Sequence, residues 1–188
     1  MEYDMWTIAV GLSGAFGLGM CFALLGSIAV KLMPRMEIDE GKFGSLISAF
    51  MFSSLIFSLI IGVVMDSIGY GAVAIFGFIA TSACIFMLAN AKGHKAGLIA
   101  CVCLGAGAMA CSTVGNVLGT AVLADKFAGD MSAANNIVNI FFGLGLFITP
   151  LVVSFLFQKT SYEKSVSTLA VNCSDSCGLR GDRLVSSR

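Results

Sequence analysis

Five stretches of this chain contain no Asp, Glu, Lys or Arg: residues 5–30, 43–65, 67–91, 96–124 and 131–158. Each exceeds the roughly 18–20 residues that carry a helix across a hydrocarbon core. A soluble protein can bury one such helix, but not five in succession. Charged residues are 12% of the chain, about half of the roughly 25% found in soluble domains, so there is too little polar surface to cover a soluble globule. In lipid, each span must satisfy its own backbone hydrogen bonds. The expected fold is therefore all-α and integral to the membrane. Five transmembrane helices are expected at about 5–30, 43–65, 71–91, 96–124 and 132–157, with residues 1–157 forming the membrane domain. The start, MEYDMW, is acidic where a cleaved signal peptide needs a basic segment.

The connections are short and polar: KLMPRMEIDEGK, DSIGYG, KGHK and DKFAGD. Pro34 is expected to end the first helix. Residues 158–188 are polar and serine-rich without a periodic apolar face, which predicts a disordered tail or the mark of a truncation. Cys21, Cys84, Cys101, Cys103 and Cys111 fall inside spans and read as small packing residues. No His or acid accompanies Cys101 and Cys103 within their span, so no metal and no cofactor is expected. A bridge between Cys173 and Cys177 in the tail would need an oxidising compartment. Net charge is zero and there is no basic tract, which argues against nucleic acid as a partner. The chain has neither H-E-x-x-H nor G-x-S-x-G, and its single histidine, His94, falls in a connection. An enzyme is not expected.

Small and polar residues inside the spans carry the rest. Gly11, Ala15, Gly19 and Ala23 recur every four residues, and Gly115 and Gly119 form a GxxxG pair. Such stripes let membrane helices approach closely. Ser112, Asn116 and Thr120 are spaced by four, which places them on one face of an α-helix. Asn135 and Asn139 share a face in the last span, with Asn136 beside them. Polar side chains at this depth face the bundle interior or a water-filled cavity. They serve either as interhelical hydrogen bonds, worth about 0.6 kcal/mol each, or as the lining of a solute path.

Residues 62–71 read GVVMDSIGYG. Gly62, Asp66 and Gly69 resemble the G-x-x-x-D-x-x-G core of the signature between the second and third helices of the major facilitator superfamily. CFALLGSIAVKLMPRMEIDEGKFGSLISAFMFSSLIFSLIIG is similar to the first two helices of its fucose-permease-like branch. LGAGAMACSTVGNVLGTAVLAD and NNIVNIFFGLGLFITP look like the fourth and fifth helices. The resemblance spans residues 11–157, about the first five of twelve helices and thus part of an N-terminal six-helix bundle.

What the resemblance implies is a secondary transporter for a small neutral solute such as a sugar, multi-pass in the inner or plasma membrane. Its partners would be the solute, the lipid bilayer, and a missing second half or a second copy, because sites in this fold form between halves. Ser112, Asn116, Asn136 and Asn139 are then the candidate solute-binding residues. Gly62, Asp66 and Gly69 are the candidate gating motif, with Asp66 expected to accept backbone N–H groups at the start of the third helix. The family's signature carries basic residues after the aspartate; Ser67, Tyr70, Gly71 and Ala72 supply none. No acid lies inside a span, so proton coupling has no carrier in this half. The family places the N-terminus and the Asp66 connection in the cytoplasm. The excess of Lys and Arg lies on the opposite side, at Lys31, Arg35, Lys42, Lys92 and Lys95. A membrane scaffold or assembly subunit is the alternative to a transporter.

Overall fold

The computed structural model describes residues 5–159, 164 and 166–169. Five helices are long and apolar enough to cross a membrane. The elements are α1 (Met5–Met36), α2 (Glu40–Ile68), α3 (Tyr70–Asn90), α4 (His94–Val114), a π-helical turn (Gly115–Gly119), α5 (Thr120–Lys126) and α6 (Met131–Lys159). α4, the π-helical turn and α5 form one rod that crosses as the fourth span, His94–Lys126. Several helices run past the charge-free stretches, because the charged residues at their ends serve as caps rather than breaks. Asp39 Oδ1 accepts the Lys42 N–H at 2.7 Å and opens α2. Asp130 Oδ1 accepts from the Ser132 and Ala133 N–H groups at 2.9 and 3.0 Å and opens α6.

Pro34 does not end α1 as expected; the helix continues to Met36. Only the bond from the proline's own missing N–H is lost, and the helix closes one turn later. Glu37 adopts a left-handed φ of 53°. Its N–H donates to the Pro34 carbonyl at 3.3 Å, and the Ile38 N–H reaches the Met33 carbonyl at 3.1 Å, the bond pattern of a Schellman end. α2 and α3 are joined by Gly69 alone, at φ 86°, a left-handed value for which glycine pays no Cβ penalty.

Lipid supplies no hydrophobic force between helices, so the bundle is held by close packing and a few polar ties. α1 is central. It packs along α6 on one side and along α4 and the π-helical turn on another. The other extensive contacts are those of α4 with α2 and with α3. Small residues set both α1 crossings. A Cβ on Gly19 would strike the Phe142 carbonyl, and one on Gly145 would strike the Phe16 carbonyl. On the other flank a Cβ on Gly11 would lie 2.6 Å from the Gly119 Cα, and one on Gly115 2.7 Å from the Ala15 nitrogen. The small-residue stripes of α1 and of the GxxxG pair therefore face helices, as their spacing predicts. Leu24, Ile28 and Leu32 of α1, Leu46 and Phe50 of α2, Ile85 and Leu88 of α3, and Cys101 and Leu104 of α4 fill the core toward the opposite end.

Ser53 Oγ donates to the Val102 carbonyl at 2.6 Å and ties α2 to α4. Lys31 Nζ donates to the Phe157 carbonyl at 3.0 Å and sits 4.4 Å from that ring's centroid. It thereby offers a cation to the C-terminal end of α6, where the helix dipole favours one. His94 is the first residue of α4 rather than part of an open connection. It is half-buried, and its Nε2 lies 2.6 Å from Ser45 Oγ. Because the Ser45 hydroxyl also donates to the Lys42 carbonyl at 2.6 Å, both bonds are satisfied when the ring N–H donates to Ser45.

Most of the expected disordered tail, with Cys173 and Cys177, lies outside the described residues. Its described part differs from the expectation. Lys164 and 166–169 are helical, and Val166 and Leu169 are buried against the α1 core. Two apolar side chains three apart make a one-turn face too short to register as periodicity.

Candidate functional site

A cavity of about 550 Å³ opens between α1 and α6. Its walls include Ser13, Phe16, Met20, Phe78, Phe141 and Thr149. The hydroxyls of Ser13 and Thr149 donate to the Ala9 and Gly145 carbonyls of their own helices. This cavity is thus apolar in what it offers, and none of Ser112, Asn116, Asn136 and Asn139 lines it.

The polar residues lie on the other flank of α1. The side of α6 that meets α1 carries Ala134, Val138, Gly145 and Thr149, all buried. At about 100° per residue, Phe141, Ile148 and Val152 turn toward the apolar cavity, while Asn135 and Asn139 turn to the opposite flank. Asn136 lies nearly diametric to Ala134 and faces away from α1. All three asparagines are exposed, and their side chains make no hydrogen bond among the described residues. On the fourth span, Ser112 is half-buried and Asn116 exposed. Asn116 Nδ2 donates to Ser112 Oγ at 3.2 Å.

The glycine contacts fix the relative depth. Gly119 meets both Gly11 and Val138, while Gly115 meets Ala15. Asn116 lies three residues from Gly119 toward Gly115, and Asn139 one residue beyond Val138 in the same direction. Asn116 and Asn139 therefore fall at similar depth on the flank of α1 away from the apolar cavity. Phe22 forms part of that flank: its ring meets Phe50 of α2 at 5.2 Å and Phe142 of α6 at 6.3 Å, both edge-on. Sequence reading missed Phe22, because one phenylalanine among fifteen carries no mark of its position.

Thr120 departs from the expected face. The column of four-residue spacing holds for Ser112 and Asn116, but the π-helical turn that follows inserts one extra residue. Ala121 takes the exposed place, and Thr120 Oγ1 is buried with no hydrogen-bond partner among the described residues.

Asp66 also corrects an expectation. It sits in the last turn of α2, and α3 is capped by Gly69 with no side-chain bond. Asp66 is exposed and its carboxylate makes no hydrogen bond among the described residues. It is therefore not a cap, and it stands where the α2 dipole disfavours an anion. A Cβ added at Gly62 or Gly69 would meet nothing within 4 Å, so no described helix packs on either glycine. At the other end of the bundle, Lys31, Arg35, Lys42, Lys92 and Lys95 gather around the starts of α2 and α4 and the ends of α1 and α3.

Among the described residues, no group of three His, Cys, Asp or Glu could hold a metal ion. No curated protein matches the chain significantly. The family model for the Major Facilitator Superfamily matches residues 11–170, thirteen residues past the stretch that carries the sequence resemblance and into the segment holding Val166 and Leu169. With five membrane-spanning helices, an all-helical fold and that match over most of its length, the chain belongs to the major facilitator superfamily.

Proposed function

We propose that the chain forms part of a secondary transporter for a small neutral solute such as a sugar, as in the fucose-permease-like branch, seated in the inner or plasma membrane. The observation that carries this reading is that Asn116, hydrogen-bonded to Ser112, and the exposed Asn139 fall at similar depth on one flank of the central helix. An amide offers both donors and an acceptor, which suits hydroxylated solutes without charge. Asn136 sits further from this pair and serves as the outer contact.

The remaining wall comes from a second half or a second copy. Of the most apolar stretch in each span, 22% of α2 and 17% of α6 is buried, against 50–61% for α1, α3 and the α4 rod. α2 and α6 thus present long apolar surfaces that further helices would cover. The bare glycines at 62 and 69 leave room for such a helix beside Asp66. Its carboxylate then has its gating partner in that other half, since it forms no ion pair among the described residues. The N-terminal end, with Asp66, is assigned to the cytoplasm.

The test is uptake of neutral monosaccharides into proteoliposomes by a complete transporter carrying these residues. Asn116→Leu and Asn139→Leu each lower uptake about tenfold, the loss expected when a hydrogen bond to a bound solute is removed, without lowering the melting temperature. Uptake at the unmodified level would make the asparagines interhelical contacts and favour the scaffold reading.

A further inference from the structure

The π-helical turn Gly115–Gly119 and the stranded Thr120 hydroxyl stand side by side. A π-helical turn is rare, and inside an α-helix it marks functional positions. It closes bonds five residues apart, so one residue more than usual fits in the turn. Everything beyond it is rotated by that residue. In an unbroken α-helix, positions 112, 116 and 120 would share the face that carries Ser112 and Asn116. In the structure that place belongs to Ala121, exposed, while the Thr120 oxygen is buried with no hydrogen-bond partner among the described residues. A buried hydroxyl without a partner is a cost that the α-helical register would remove.

The chain has slack to make that change. α5 is seven residues long and ends in Phe127–Asp130, where Ala128 (φ 53°) and Gly129 (φ 88°) take left-handed conformations. For alanine this is a strained state. A one-residue slip of α5 can be absorbed there without moving α6.

We propose that the segment 115–119 interconverts between π-helical and α-helical registers, and that this rotation swings Thr120 into the Ser112–Asn116 column as a further solute-binding hydroxyl. The switch stands on the turn and the stranded oxygen; the solute role of Thr120 rests on the function proposed above. A hydroxyl joining an amide at one depth suits the same neutral polyhydroxylated class. Thr120 is then a contact made in one state and withdrawn in the other.

The test labels single-cysteine positions in the full chain held in lipid nanodiscs, using a charged, membrane-impermeant methanethiosulfonate. Modified sites are located by mass spectrometry, so the native cysteines need not be removed. Ala121→Cys is expected to label about tenfold faster than Thr120→Cys, as exposure differs between the two registers. Deleting Val117 removes the extra residue and leaves Ala121 four positions after Asn116, so it locks the present faces. Ala121→Cys is then expected to stay fast, while Thr120→Cys, reached only through interconversion, is expected to label about tenfold more slowly than without the deletion. Equal labelling of the two positions, or a Thr120→Cys rate unchanged by the deletion, overturns the switch. Should the deletion variant not fold, hydrogen exchange on the unmodified chain decides. Amides of 116–120 are expected to exchange about tenfold faster than those of 104–110, because interconversion opens them; equal protection overturns the proposal. No sugar is present in these measurements, so they are blind to the solute site. An intact labelling order together with full sugar uptake by Thr120→Val in a complete transporter overturns the solute role alone.

Discussion

Gly145 and Gly62 are the same residue type in helices of similar composition, yet they will respond to substitution in opposite ways. Gly145 faces the Phe16 carbonyl across the α1–α6 crossing. Gly145→Ala must push that carbonyl away, and overpacking of this kind costs about 1–3 kcal/mol. Gly62→Ala meets open space inside α2 and removes glycine's extra backbone entropy, so it is expected to stabilise the chain by about 0.5–1 kcal/mol. Thermal unfolding of the two variants in one detergent checks the pair. Asp66 gives a second prediction at this scale. A carboxylate that capped α3 would cost about 0.5–2 kcal/mol to remove. Asp66 makes no such bond and opposes the α2 dipole, so Asp66→Asn is expected to leave this chain as stable or slightly more so. A clear loss of melting temperature would restore the capping role. The spacing of Gly62, Asp66 and Gly69 in the sequence carries a family motif, but it does not say which helix end the carboxylate serves. A one-residue connection decided that, and connection length is set by how α2 and α3 both lie against α4.

At the scale of elements, the spans and their order were legible because charge is excluded from the bilayer whatever the tertiary fold. Their ends were less so. Asp39, Asp130 and Lys31 look like interruptions in a hydropathy reading and act as caps in the structure. Asp130→Ala is therefore expected to cost about 1 kcal/mol, the usual loss of an N-cap, read as a lower unfolding midpoint in detergent. The π-helical turn was not legible. GNVLG has nothing that an α-helix rejects, and the extra residue follows from the close seating of Gly115 against Ala15 and of Gly119 against Gly11. The same cause hid the fate of Thr120, since a four-residue spacing predicts a shared face only while the helix keeps its α-helical period. The flank shared by Asn116 and Asn139 depends on two helix crossings whose register no single helix carries.

For the whole molecule, exposed apolar surface on α2 and α6 means that extraction from membranes needs detergent; release into plain alkaline buffer would refute the membrane fold. In proteoliposomes the 188-residue chain is expected to give no sugar uptake above protein-free vesicles unless copies associate, and uptake by a monomer would overturn the need for a second half. The single-residue link at Gly69 bears on how such a bundle is assembled. α2 and α3 leave the ribosome as a pair too tightly joined to insert separately, yet they touch each other little and lie mainly along α4. The pair is thus an open V in the bilayer until α4 arrives to fill it. α1 waits longer, for its most extensive neighbour, α6, follows the other four spans. Birth order and packing order run apart: α1 precedes the other four spans yet is clasped only after them, and until then its glycine stripe lies bare to lipid and to any chaperone that guards it.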